Sequence, residues 1–350
     1  MKRLFLILAA ALATFNATAA DSLTMADFAY TNKLMVAGYT GTETLQNFPV
    51  LVRLSETRIP GFLYANLTNS KGADIAFFDD HGNHLASEIE TNSWKVGTTK
   101  DSQIWVKLPQ MKQRTKFYMC YNTSASGAWV TNENPWGDYV GVWHLDETGG
   151  SGKTIYDSTT NGMNGTTYTG SSNGSGAIGK ARRIATDNSH AWGIVVDATN
   201  GVQKTAADSL GTDFHASFWM LAGAAPDNVK WGNILGRRYG DQGYSWGFQF
   251  GGDTAAGTTI DYMRVHSDNN NSGNKYTSRP LGSWLKLNDG NWKKVDLVWK
   301  YAANNNTPYI DIYTNGVYFE SMKTSPKVRL ARRQHRHRLF HAAKSCQRGR

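Results

Sequence analysis

The side chains best suited to chemistry in this 350-residue chain lie in short polar clusters. His144-Leu145-Asp146-Glu147 sets an imidazole and two carboxylates within four positions, residue types that ligate divalent metals or exchange protons. Neighbouring side chains on a strand alternate between faces, so the three polar groups would diverge. The cluster is therefore read as the end of a strand that opens a domain, and not as a catalytic centre. Glu88 and Glu90 in SEIETN share one face of an extended segment, the arrangement from which a glycoside hydrolase could present two carboxyl groups about 5–9.5 Å apart. Asp213 and Asp261 stand alone on their strands. These acids read as solvated strand-edge groups, so no catalytic residue is assigned and an enzyme is not expected; glycoside hydrolysis stays as an alternative.

Tyr156-Asp157-Ser158-Thr159-Thr160-Asn161-Gly162 is the candidate ion loop. Calcium takes six to eight oxygen ligands, and Asp157, Asn161 and the loop carbonyls could supply several. An Asx turn, in which the aspartate satisfies its own backbone, explains the same residues. Both readings stay open.

A third group is aromatic and basic. Trp231, Tyr239, Tyr244 and Trp246 lie beside the glycine-rich stretches KWGN and RRYGDQGYSWG, where exposed rings could stack on sugar faces. Arg237, Arg238 and Asp241 could then fix a ligand's orientation. Packing within the protein is the competing use for each of these rings. Trp143, Trp219, Trp292 and Trp299 sit on or beside strands and are expected in the core.

The elements that must carry these groups are strands. FPVLVRL (48–54), ADIAFFD (73–79), SQIWVKLP (102–109) and TKFYMCYN (115–122) are short runs rich in β-branched and aromatic residues, separated by turn chemistry such as DDHGNH. Composition shifts at SASGAWVTNENPWGDY (124–139), which marks a domain boundary. DYVGVWHLD then reads as a strand, and GIVVDA, DFHASFWMLAG, GNILGRR, YSWGFQFGG, TIDYMRVHSD, WKKVDLVWKY and TPYIDIYTNGVYFES as seven further β runs. Asn-Gly in the last predicts a hairpin. The fold class is all-β: a small antiparallel β-sandwich over 21–135, then a second sandwich over 136–323.

The two ends differ from the middle. Residues 1–20, MKRLFLILAAALATFNATAA, have the charged start, short apolar run and small-residue Ala17-Thr18-Ala19 pattern of a secretory signal peptide, so a secreted or periplasmic location is expected. No later segment is apolar enough for a membrane span. Residues 324–350 hold nine Lys or Arg and no acid, which accounts for the whole formal charge of +9. The basicity thus belongs to the tail, and nucleic acid is not an expected partner of the folded part. His335, His337, His341 and Cys346 lie among the arginines of that tail, which would repel a metal cation. Cys120 and Cys346 are the only cysteines, and no structural disulfide is expected.

The ordered set WHLDETGG, YDSTTNGMNGT, GKARRI, DFHASFWM, NILGRR, DGNWKKVDLVWKY and PYIDIYTNGVYF resembles the laminin-G-like, concanavalin-A-like jelly rolls of secreted bacterial proteins, from about Gly137 to Ser321. The resemblance implies a jelly roll over 136–323, calcium near its rim, and a glycan or cell-surface protein as partner. FPVLVRLSE, IPGF, GADIAFFDDHGNHLASEIETN, IWVKLPQM and TKFYMCYN resemble the bacterial domain-of-unknown-function family numbered 2341, which often precedes such a jelly roll across a junction similar to PWGDYVGVWHL. Some relatives sit on envelope proteins that include TolQ/ExbB-type channel components, so a structural part in an envelope transport assembly is an alternative to recognition. The resemblance also implies further strands after IYTNGVYFES. Residues 324–350 offer none, so the jelly roll is expected to be incomplete and the tail to lie outside the fold, as after a frameshift.

Overall fold

The computed structural model describes residues 23–95, 101–123, 134–167, 171–184, 194–196, 214–221, 231–238, 244–251, 262–266, 276–280, 290–302 and 307–323. The signal-peptide-like residues 1–20, the tail 324–350, Asp213, Tyr239, Asp241 and Asp261 lie outside them. Among the described residues the chain is all-β, with three single-turn 3-10 helices and strands that pair antiparallel throughout.

The first segment contributes β1 (Tyr30–Met35), β2 (Leu45–Leu54), β3 (Ala76–Phe78), β4 (His84–Leu85), β5 (Ser87–Ile89), β6 (Ser102–Met111) and β7 (Lys116–Tyr121). They form two sheets, ordered β1-β7-β3-β4 and β2-β6-β5. Period-2 alternation turns Val52, Leu54, Ile104, Val106 and Leu108 of one sheet towards Phe77, Leu85, Phe117, Met119 and Tyr121 of the other, and these residues share a single buried cluster. This is the expected β-sandwich. Pro49 is tolerated because β2 is an edge strand. The ladder steps from Phe48↔Leu108 to Gln46↔Gln110, skipping Asn47 at φ 51° and Pro109, which has no N–H to give. Asp79 closes the DDHGNH turn by accepting the backbone N–H groups of His81 and Asn83 at 2.8 Å each.

The second segment begins differently from expectation. Residues 138–146 form no strand. Leu145 takes φ 61°, which breaks the alternation, and Val142 gives its N–H to the Asp157 carboxylate instead of a ladder. Small strands follow: β8 (Thr154–Ile155), β9 (Gly165–Thr167), β10 (Ser171–Ser175) and β11 (Lys180–Ile184), which were not read as strands, and β12 (Ile194–Val196), which falls within the expected GIVVDA run. They pair as β12-β9-β8 and β10-β11.

Larger sheets come from β13 (Phe214–Met220), β14 (Trp231–Arg238), β15 (Tyr244–Gly251), β16 (Tyr262–His266), β17 (Tyr276–Pro280), β18 (Lys293–Ala302), β19 (Thr307–Thr314) and β20 (Val317–Lys323). Their orders are β13-β18-β19-β20 and β14-β15-β16-β17. In the first of these sheets one face is a buried apolar layer of Phe214, Val295, Leu297, Trp299, Ile310, Ile312 and Met322, with Phe214 stacked on Trp299 at 5.2 Å. The β19–β20 hairpin turns on Asn315 and Gly316 at φ 50° and 79°, the two left-handed positions that an Asn-Gly turn needs. Trp299 is buried as expected and Trp143 and Trp292 are half-buried, but Trp219 is 44% exposed. It lies on the opposite face of β13 from Phe214, together with His215 and Ser217.

Phe77→Ala is expected to cost about 3–5 kcal/mol, because a fully buried ring leaves a cavity between the two sheets. Val317→Ala, at a 65% exposed position, should change stability by less than about 0.5 kcal/mol. Denaturant titration of both variants checks this contrast.

Candidate functional site

The acids and the histidine that looked unpartnered in sequence meet at the junction of the two segments. β5 turns Glu88 to one side and is followed at once by Glu90, and the extended stretch after Pro135 brings His144 between them. Nδ1 of His144 lies 2.7 Å from Oε1 of Glu90, and Nε2 lies 3.2 Å from Oε2 of Glu88. Indole N–H groups complete the arrangement. Trp105 Nε1 donates to Glu90 Oε1 at 2.7 Å, Trp136 Nε1 donates to Glu88 Oε2, and Ser158 Oγ donates to Glu88 Oε1 at 2.7 Å. The Trp105 and Trp136 rings lie 6.5 and 5.6 Å from the imidazole.

The electrostatics follow from this geometry. Burial opposes a charge on His144, but the hydrogen bonds and charges of Glu88 and Glu90 outweigh it and push its pKa from 6.5 up to about 10. Burial would raise the Glu88 carboxyl, yet its bonds with His144, Trp136 and Ser158 hold it below the ordinary range. Burial, with the Glu90 charge close by, raises Asp146. At neutral pH the centre is therefore an imidazolium between two carboxylates. The donors on Glu88 and the imidazole on Glu90 are protein groups, which suits a clamp better than a proton-transfer site.

The Asp157 loop is the second part of the junction. Asp157 Oδ1 accepts from Val142 N at 2.9 Å and Thr159 N at 3.0 Å, and Oδ2 from Thr159 Oγ1 at 2.8 Å and Met163 N at 2.9 Å. Asn161 gives its side-chain N–H to the Val140 carbonyl at 3.0 Å. The two candidate ion ligands are thus brought together around residues 140–142, with the Asp157 oxygens engaged by backbone and hydroxyl donors. Trp143 Nε1 bonds the Met163 carbonyl at 2.8 Å, tying the same loop from the other side.

A third contact fixes the β10–β11 hairpin to the first sandwich. Gly179 sits at φ 58°, and a Cβ there would lie 2.2 Å from Ser93 Oγ. The same Ser93 hydroxyl accepts the Lys180 N–H at 3.0 Å. Only glycine allows this approach.

The proposed ligand residues separate into two places. In the β14–β15 ladder Arg237 faces Trp246 and Arg238 faces Tyr244, with a register irregularity between them, so four of the seven gather at one hairpin end. The intervening residues 239–243, with Tyr239 and Asp241, lie outside the described residues. Trp231 pairs with Gly251 at the other end, about 20 Å away along the strand. Among the described residues Asp79, Asp80 and His81 are the group whose ligand atoms lie within metal-binding reach of one another, on the exposed turn already closed by Asp79. No described helix is long and apolar enough to cross a membrane.

Comparison with protein-family models, curated proteins and solved structures gave no match for this chain.

His144 has a folded pKa above its unfolded value of about 6.5, so its contribution is full below that pH and is lost as pH rises towards 10. The parent protein is expected to lose stability between about pH 7 and 10, and His144→Gln to be less stable at pH 7 with a flatter profile across that window, as read by thermal melts. Asp157→Ala should cost about 2 kcal/mol or more in chelator, from the loss of charged hydrogen bonds. A calcium-dependent rise in melting temperature shown by the parent and absent from Asp157→Ala would mark the loop as an ion site; equal responses would remove it.

Proposed function

We propose that this chain is an exported, non-catalytic recognition protein that binds glycan or a surface partner through its second domain, read as a laminin-G-like jelly roll. The observation that carries the reading is the end of the β14–β15 hairpin, where Arg237 and Arg238 stand opposite Trp246 and Tyr244. Aromatic and arginine residues at paired strand positions are the residue types that suit sugar rings and their hydroxyls. The leader-like residues 1–20 support export. Calcium is the proposed ion of the Asp157–Asn161 loop, where it would exchange with the N–H donors that Asp157 now accepts.

On this reading the first domain is a rigid partner. Its Glu88 and Glu90 hold His144, and its Ser93 holds the β10–β11 hairpin.

The test is retention on a panel of immobilised polysaccharides. The parent chain is expected to be retained on at least one, and Trp246→Ala to weaken retention about tenfold, the loss of roughly 1.4 kcal/mol. Failure to be retained on any, or release of reducing sugar that depends on a carboxylate in residues 136–323, would overturn the reading.

A further inference from the structure

The face of the β13-β18-β19-β20 sheet opposite the buried apolar layer carries an unusual set of residues. Cross-strand register places Trp219 opposite Lys294, Ser217 opposite Asp296, Asp296 opposite Tyr313, and Tyr313 opposite Tyr318. The next row holds Val298 opposite Asp311 and Asp311 opposite Ser321. Asp296 is buried and contacts His215 Nε2 and Lys294 Nζ, each at 3.0 Å. Asp311, also buried, accepts from Lys300 Nζ and from Ser321 Oγ.

This is an expensive way to finish a sheet. Desolvating two carboxylates with their cations adds little to stability compared with apolar side chains of similar size. The arrangement does hold polar groups rigidly. Lys294 and Lys300 keep 42% and 35% of their side-chain surface in solvent while their charges are anchored from below. Two aromatic side chains flank them: Trp219 at 44% exposure on one edge strand and Tyr318 at 40% on the other, with Tyr318 held edge-on to Tyr313 at 5.6 Å. Three strand steps separate those edges, about 14 Å, which is longer than a single sugar ring.

We propose that this sheet face is a second glycan-binding surface, which takes an uncharged polysaccharide chain laid across the strands from Trp219 to Tyr318. The inference rests on the recognition reading above but names a different surface from the hairpin. Lys294 and Lys300 are each held by an aspartate, so these pairs offer a polyanion or polycation little attraction, with Lys323 placed by register at the margin of the same face, whereas hydroxyls find fixed donors in the two anchored ammonium groups. The exposed rings offer apolar faces for the C–H side of pyranoses. Burial raises and the His215 and Lys294 contacts lower the Asp296 pKa, with a net fall to about 2, so the anchor stays ionised at any working pH.

Affinity electrophoresis of the full chain in gels containing neutral glucan, xylan or mannan, or a uronic-acid polymer, tests this. Trp219→Ala and Tyr318→Ala are expected each to weaken binding to a neutral polymer about tenfold, while thermal melts show both variants still folded, with a modest fall in melting temperature from the lost ring contacts. Binding should be insensitive to salt. Loss in Trp246→Ala with full retention in Trp219→Ala and Tyr318→Ala would overturn this surface and keep the recognition function. Binding confined to the uronic-acid polymer would also overturn it. Absence of binding by the parent chain to every polymer would overturn both.

Discussion

The junction depends on one half-buried cation. An imidazolium between Glu88 and Glu90 is costly to desolvate, and it persists only because each carboxylate receives further donors: the indole N–H of Trp105 on Glu90, and the indole of Trp136 with the hydroxyl of Ser158 on Glu88. The donors come from stretches far apart in the chain. Trp105 belongs to β6 of the first sandwich, whereas Trp136, His144 and Ser158 belong to residues 134–158. Removing one member would strand a buried charge, so the network joins the two segments more firmly than exposed ion pairs could.

The same constraint explains why residues 138–146 do not form a strand. His144 can reach two acids on the first sandwich only if the chain leaves ladder geometry, and the left-handed Leu145 makes that departure. The backbone polar groups freed by this path need partners. Val142 finds them in the Asp157 side chain and the Ser158 N–H, the latter at 2.8 Å, and Tyr139 and Val140 find the Asn161 amide. A loop that resembles a metal site thereby replaces a missing β neighbour.

Much of the fold was legible from alternation. β2, β6, β7, β13, β18 and β19 fall where period-2 runs of β-branched and aromatic residues put them, and the Asn-Gly turn lies between β19 and β20 as its sequence requires. β1 was missed because TNKL on an edge strand has little apolar periodicity, β8 to β10 because they lie in the glycine- and asparagine-rich stretch 149–179, and β11 because KARRI shows little apolar alternation. The clamp was harder to see. Glu88 and His144 are 56 residues apart, and no local pattern joins them. The available signal was the excess of polar and indole groups in neighbouring strands: E-x-E in β5 and beyond it, Trp105 in the middle of β6, and a histidine after Trp143.

Two aspartates within apolar strands carried a similar unused signal. VDLVWK and YIDIYT each place an aspartate at the alternate position, which faces away from Trp299 and Ile310, and each aspartate has a lysine two residues away or on the adjoining strand. Period-2 geometry puts both acids on one face, and antiparallel register puts them in neighbouring rows, so their sharing that face follows from the two strands pairing at all. Trp219 shows the complementary lesson. A tryptophan on a strand was expected inside because of its size, but His215 and Ser217 already mark its face as the polar one, and alternation outranks residue type when the two disagree.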